Sequence, residues 1–139
     1  MAIENKFKKL IVSGKRKTSV ARAIIVAGNG KVTFNRKNYL NLQLFDKLKI
    51  SEPIEIAKSV IGELDFDCSI TVRGGGEKGQ IDAARLALAK AIVEFSGSDK
   101  LRETYLKYDR NLLVADVRRK EAYKPGDSKA RSKRQSSKR

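Results

Sequence analysis

A chain of 139 residues is long enough for one domain with a real core, and its 31 Lys and Arg against 16 Asp and Glu leave a net charge of +15, far more than solubility needs. There is no histidine and Cys68 is the only cysteine, which excludes a Ser-His-Asp triad, a histidine general base, His-ligated or Cys-rich metal sites and an internal disulfide. No apolar run approaches 18 residues and the start MAIENKFKKL lacks a signal-peptide core, so the expectation is a soluble intracellular protein whose partner is a polyanion, nucleic acid ahead of a membrane surface.

In chain order, Leu10 to Ala27 is extended, interrupted by Ser13-Gly14-Lys15-Arg16-Lys17, and the β-branched run Ser19 to Val26 reads as a strand. Gly28-Asn29-Gly30 followed by the alternating Lys31 to Asn35 predicts a β-hairpin with that strand. Leu40, Leu44, Phe45 and Leu48 recur at helical spacing and predict a short helix within Tyr39 to Ile50; a second short helix after Pro53 would turn Ile54, Ala57 and Val60 or Ile61 inward. Asp65 to Arg73 alternates cleanly, with Phe66, Cys68, Ile70 and Val72 on one face, so it is a strand half buried against helices and Cys68 is a small core residue. The strongest helix runs from Gln80 to Phe95, with Ile81, Ala84, Leu88, Ile92 and Phe95 inward and five alanines keeping it slim. Ser98 caps a further helix over Asp99 to Tyr108 with Leu101, Tyr105 and Tyr108 inward, and Asn111 to Val117 is a short apolar stretch.

The charge is unevenly placed. Residues 1–22 hold seven Lys and Arg and one acid, residues 23–117 hold 14 and 13, and residues 118–139 hold ten and two. We therefore divide the chain into a basic N-terminal extension (1–9), a globular domain (10–117) and an extended basic tail (118–139). Beyond Tyr123 the only non-polar side chains are Pro125 and Ala130, so the free tail should be disordered. Ordering some sixteen residues costs on the order of 20 kcal/mol, which RNA surrounding a thread could offset through counterion release and charge-assisted contacts to phosphate.

Gly74-Gly75-Gly76-Glu77-Lys78-Gly79 satisfies G-x-G-x-x-G between a strand and a helix, the setting of a dinucleotide fingerprint. No second parallel strand follows the helix, and Gly79 precedes Gln80 where a Walker loop has Lys. Three uses of the loop stay open: a free nucleotide, an RNA phosphate cradled by helix N–H groups, or a turn that lets helix and strand pack closely. Lys15, Arg16 and Lys17 ahead of a strand, Arg22 within it and Arg73 beside the glycines, joined to the tail, point to nucleic-acid contact; without Trp or an aromatic pair on the Arg73 strand, base stacking is disfavoured.

SGKRKTSVARA (Ser13 to Ala23), TVRGGGEKGQIDAARLALAKAI (Thr71 to Ile92) and KARSKRQSSKR (Lys129 to Arg139) resemble, in order and spacing, the universal small-subunit ribosomal protein nine family over nearly the whole chain. Tyr105 to Gly126 is similar to its archaeal and eukaryotic cytosolic branch. The resemblance implies an α+β fold, a mixed β-sheet covered by helices on one face as in the second domain of ribosomal protein S-five, with a long extended basic C-terminal tail. It implies a structural, non-enzymatic constituent of the small-subunit head in the cytoplasmic ribosome, without cofactor, metal or small-molecule substrate, beside neighbouring head proteins. Ribosomal RNA contacts would fall to Lys15, Arg16, Lys17, Arg22, Arg73, Gly74, Gly75, Gly76, Lys78, Arg118, Arg119, Lys120, Lys124, Lys129, Arg131, Lys133 and Arg134. The tail end, Lys138 and Arg139, would reach the anticodon stem-loop of peptidyl-site transfer RNA. The rivals are a nucleotide-binding enzyme using Gly74 to Gly79 and an RNA-binding factor outside the ribosome.

Overall fold

The structure is a computed structural model, and it describes residues 9–137. Strands β1 (Leu10–Arg16) and β2 (Ser19–Ala27) are followed by β3 (Val32–Phe34), β4 (Lys37–Asn38), helix α1 (Leu44–Ile61), β5 (Phe66–Arg73), α2 (Glu77–Ser96) and α3 (Asp99–Tyr108). Single 3-10 turns cover Tyr39–Asn41 and Arg110–Leu112. The five strands form one mixed sheet in the order β1-β2-β5-β3-β4. Among the described residues β3 and β5 form its one parallel pair; the other pairs are antiparallel. The helices cover one face, so the fold is the expected α+β arrangement.

The expected hairpin between the Ser19 strand and Lys31 to Asn35 does not form, because β5 lies between them. Eight residues of β5 pair with β2, from Ala27 opposite Phe66 to Val20 opposite Arg73, and every second β5 residue is buried. A three-residue β3 cannot compete with that register for the edge of β2. The Gly28-Asn29-Gly30 turn instead wraps over the start of β5. Gly28 N–H donates to Asp65 O and Gly30 N–H to Phe66 O at 3.1 and 2.9 Å, and the Asn29 and Lys31 N–H groups donate to Asp67 Oδ1 at 3.0 and 2.9 Å. Gly30, at φ 84°, supplies the left-handed backbone this bend requires. The true hairpin is β1 with β2, closed by Lys17-Thr18.

A second expectation is corrected in α1, which is one 18-residue helix running through Pro53. The bond lost at Pro53 is outweighed by packing: Ile50, Pro53, Ile54 and Ala57 are buried, and the Tyr105 hydroxyl donates to Pro53 O at 2.6 Å. Burying that stripe rotates the other apolar stripe outward. Leu44, Phe45 and Leu48 are 66%, 75% and 54% exposed, as is Leu40 at 49% in the preceding 3-10 turn; of the two alternatives for the inward position, Val60 packs on the core and Ile61 faces solvent. Tyr108, expected inside, ends α3 in solvent; Leu101 and Tyr105 do the anchoring below a Ser98 cap that accepts the Leu101 N–H.

Helix α2 begins three residues earlier than expected and is buried on most of its circumference, since Ala83, Leu86, Ala87, Ala89 and Ala91 join Ile81, Ala84, Leu88 and Ile92 inside. Phe95 is half-buried and stands edge-on to Phe66, with ring centroids 6.0 Å apart. Cys68 is a core residue, its thiol pushed up to about 12 by burial, so it stays protonated and inert. Gly14 of β1 lies directly against the backbone of α2. A Cβ at Gly14 would lie 2.5 Å from Ala83 O and 2.7 Å from Ala87 N, both backbone atoms.

Gly14→Ala should therefore lower unfolding stability by about 1–3 kcal/mol or more, as α2 must back away from the sheet. Gly76, at negative φ with open space at its Cβ, should accept Ala within about 0.5 kcal/mol; urea denaturation of both variants checks the contrast.

Candidate nucleic-acid interface

The β1–β2 turn is the hub of the site. Lys17 stands at its tip in the left-handed region, at φ 52°. On one side it meets the glycine loop, on another the start of the tail, and behind it the strands lead onto the open face of the sheet.

The glycine loop is a close-packed turn. Gly74 and Gly75 have φ of 76° and 65°, and a Cβ on Gly75 would strike Ser19 Oγ while one on Gly74 would come within 2.7 Å of Thr18 O. Buried Ser19 donates its hydroxyl to Gly74 O at 3.0 Å, and Gln80 Nε2 donates to the same oxygen at 3.1 Å. The third use left open by the sequence, close packing, is thus directly visible. Lys78, expected at phosphate, donates to Asp46 Oδ1 at 2.8 Å, a bond that raises the lysine above its ordinary pKa and ties the loop to α1. A groove of about 430 Å³ remains between turn and loop, lined by Lys17, Thr18, Ser19 and Gly75 to Gly79.

On the face of the sheet away from the helices, the pairing Lys15–Val20–Arg73 and Ser13–Arg22–Thr71 across β1, β2 and β5 places three cations among hydroxyls and short apolar side chains. Val20, Arg22, Ile24, Thr71 and Arg73 line a shallow groove there. Lys15, Lys17, Arg22 and Arg73 have no ion-pair partner among the described residues. Cations left unpaired on a surface lined by hydroxyls, with no aromatic platform, suit phosphate and sugar rather than bases.

The tail begins beside the same turn. Arg16 forms ion pairs with Asp116 and, at 3.9 Å, with Asp82, and Asp116 is also held by Arg118 through Nε and Nη2. Arg16 Nη1 is buried against Asp116 without an aligned hydrogen bond. Asp116 was not singled out by the sequence, where its only signal is an acid two residues ahead of an arginine pair. Arg119 donates to the Asp116 and Arg118 carbonyls, and Lys120 lies 4.5 Å from the Tyr123 ring centroid. Further along, Arg131 pairs with Glu121, Arg134 Nε donates to Gly126 O, and Lys124, Lys129 and Lys133 make no ion pair among the described residues. Lys138 and Arg139, and all but the last residue of the N-terminal extension, lie outside the described residues.

Among the described residues no group of acids or Cys could hold a metal and no helix is long and apolar enough to cross a membrane. What remains is a small α+β domain with a cationic hub and a basic tail, the construction of a ribosomal protein. The family model described as ribosomal protein S9/S16 matches residues 14–139, and the chain belongs to that family. It is 46% identical over 130 residues to small ribosomal subunit protein uS9 of Methanococcus vannielii, covering 89% of this chain and 93% of the relative. The uS9 of Methanothrix thermoacetophila is 43% identical over 129 residues, covering 90% and 94%. These relatives are archaeal, in agreement with the branch that Tyr105 to Gly126 resembles. The chain is a ribosomal protein and not an enzyme, which removes the nucleotide-binding rival.

The bonds from Arg118 and the nearby Arg16 charge hold the Asp116 carboxyl well below its ordinary value of 3.8. A depressed folded-state pKa gives stability that is complete above the ordinary value and is lost only as pH falls through the lower one. Asp116 should thus stay ionised at pH 3.5, where exposed aspartates are largely protonated; its carboxyl carbon shift in an acid titration reads this.

Proposed function

We propose that this chain is a structural constituent of the small ribosomal subunit head in the cytoplasmic ribosome, binding small-subunit ribosomal RNA. The observation that carries this is the convergence of unpaired cations on one turn: Lys15 and Lys17 with Arg22 and Arg73 on the open sheet, and Arg119 and Lys120 at the tail root. Gly74 to Gly76 and Lys78 complete the loop side. Arg118, Lys124, Lys129, Arg131, Lys133 and Arg134 extend the charge along the tail, and domain 10–117 acts as its anchor. The exposed Leu40, Leu44, Phe45 and Leu48 fit contact with neighbouring head proteins. In this reading the tail runs to the decoding region, where Lys138 and Arg139 contact peptidyl-site transfer RNA, an assignment supported by the family resemblance and by the suitability of a terminal Arg for phosphate.

Binding to a transcript of the small-subunit head domain tests the core claim. Replacing Lys17, Arg22 and Arg73 together by Ala should lower affinity and reduce the magnitude of the log K against log salt slope by about 2–3, near 0.9 per phosphate lost; an unchanged slope rejects the assignment. For the tail, deleting residues 135–139 should leave subunit assembly intact and weaken peptidyl-site transfer RNA, so equal transfer RNA affinity of truncated and full subunits contradicts that part. Survival of the protein on the subunit through a high-salt wash separates a constituent from a peripheral factor.

A further inference from the structure

The tail root and the β1–β2 turn enclose a cleft of about 630 Å³ lined by Arg16, Lys17, Thr18, Arg118, Arg119 and Lys120, with no acid in its walls. Its two sides come from segments a hundred residues apart in sequence. The tail root carries no regular secondary structure, and the link between the sides is Asp116, only 16% exposed, ion-paired to Arg16 on β1 and to Arg118 on the tail. The Asp116 carbonyl and that of Arg118 also accept from Arg119 Nη1, at 3.2 and 3.1 Å, so the backbone at the root is held by its own side chains.

We propose that Asp116 is a positioning residue that fixes the tail root against the β1–β2 turn, so that Lys17 on one side and Arg118 to Lys120 on the other grip a single phosphodiester strand. This rests on the ribosomal-RNA reading above and adds to it a composite site whose geometry depends on an acid. An acid at a polyanion site ordinarily weakens binding by repulsion and by competing for its cations. Here it orders a segment without regular secondary structure, and fixing the two walls relative to each other lowers the entropy that binding must otherwise supply. The two effects predict opposite signs for its removal.

The test uses the full chain and a fluorescent twelve-nucleotide oligouridylate, titrated by anisotropy at several salt concentrations. Asp116→Asn raises the net charge by one yet should weaken binding about three- to tenfold, and should lower the salt-slope magnitude by about 0.7, one single-strand phosphate. Asp116→Glu keeps a carboxylate within reach of Arg16 and Arg118 and should recover most of the loss. Equal or tighter binding by Asp116→Asn overturns the positioning role and leaves the RNA reading standing. Failure of the unmodified chain to bind overturns both. A second measurement does not depend on the fold of the Asp116 variants: if Lys17 and Lys120 hold the same strand, the losses from Lys17→Ala and Lys120→Ala should combine non-multiplicatively by about twofold or more. Multiplicative losses overturn the shared cleft.

Discussion

The backbone contact between Gly14 and α2 sets the position of the β1–β2 hairpin and the cations at its tip. At Gly14 the β1 strand touches Ala83 and Ala87 with no side chain between, so the β1–β2 hairpin cannot shift across the helix without opening a void or a clash. The hairpin tip is thereby held beside the N-terminal end of the same helix, where Ser19 closes against Gly74 and Gly75. Alanines on the buried sides of α2 make that approach possible. The two-residue turn at the hairpin tip is thus rigidly mounted, and the mount is a glycine against a helix backbone.

The basic side chains divide into two populations. One is committed inside the protein: Arg85 bridges Glu52 at 2.6 Å and Asp109 at 3.0 Å, joining α2 to α1 and to the end of α3, while Lys49 joins α1 to Asp82. These pairs are partly screened from water and hold helices in relation to each other. The other makes no ion pair among the described residues and includes Lys15 and Lys17 at the hairpin, Arg22 and Arg73 on the open sheet face, and Arg119, Lys120, Lys124, Lys129 and Lys133 along the tail. Net charge alone does not separate them; the separation comes from which acids the fold brings near.

Much of this was legible in the sequence because it follows from short-range pattern. The alternation of Phe66, Cys68, Ile70 and Val72 fixed the core face of β5, and Ser98 announced α3. The failures share a physical cause, competition at long range. Gly28-Asn29-Gly30 is a turn, as its residues require, but which strand lies beside β2 was decided by Asp67 and the longer register of β5, far along the chain. Two apolar stripes on α1 have the same spacing, and only Tyr105 and the core choose Ile50, Ile54 and Ala57 over Leu44, Phe45 and Leu48. In the site, the types and clusters of cations were readable, whereas Asp116 was not, because its partner Arg16 lies a hundred residues upstream.

The placement of β5 between β2 and β3 also dictates an order of construction. The β1–β2 hairpin is paired through local contacts, but its partner strand β5 follows some forty residues later, after α1, and the sheet centre waits on that long loop closure. During synthesis from the N-terminus, the hairpin tip therefore exists before the glycine loop that supports it, and the loop before the tail root. The cationic hub becomes complete only when nearly the entire domain has been made, so a growing chain exposes its separate basic segments well before it presents the composite surface.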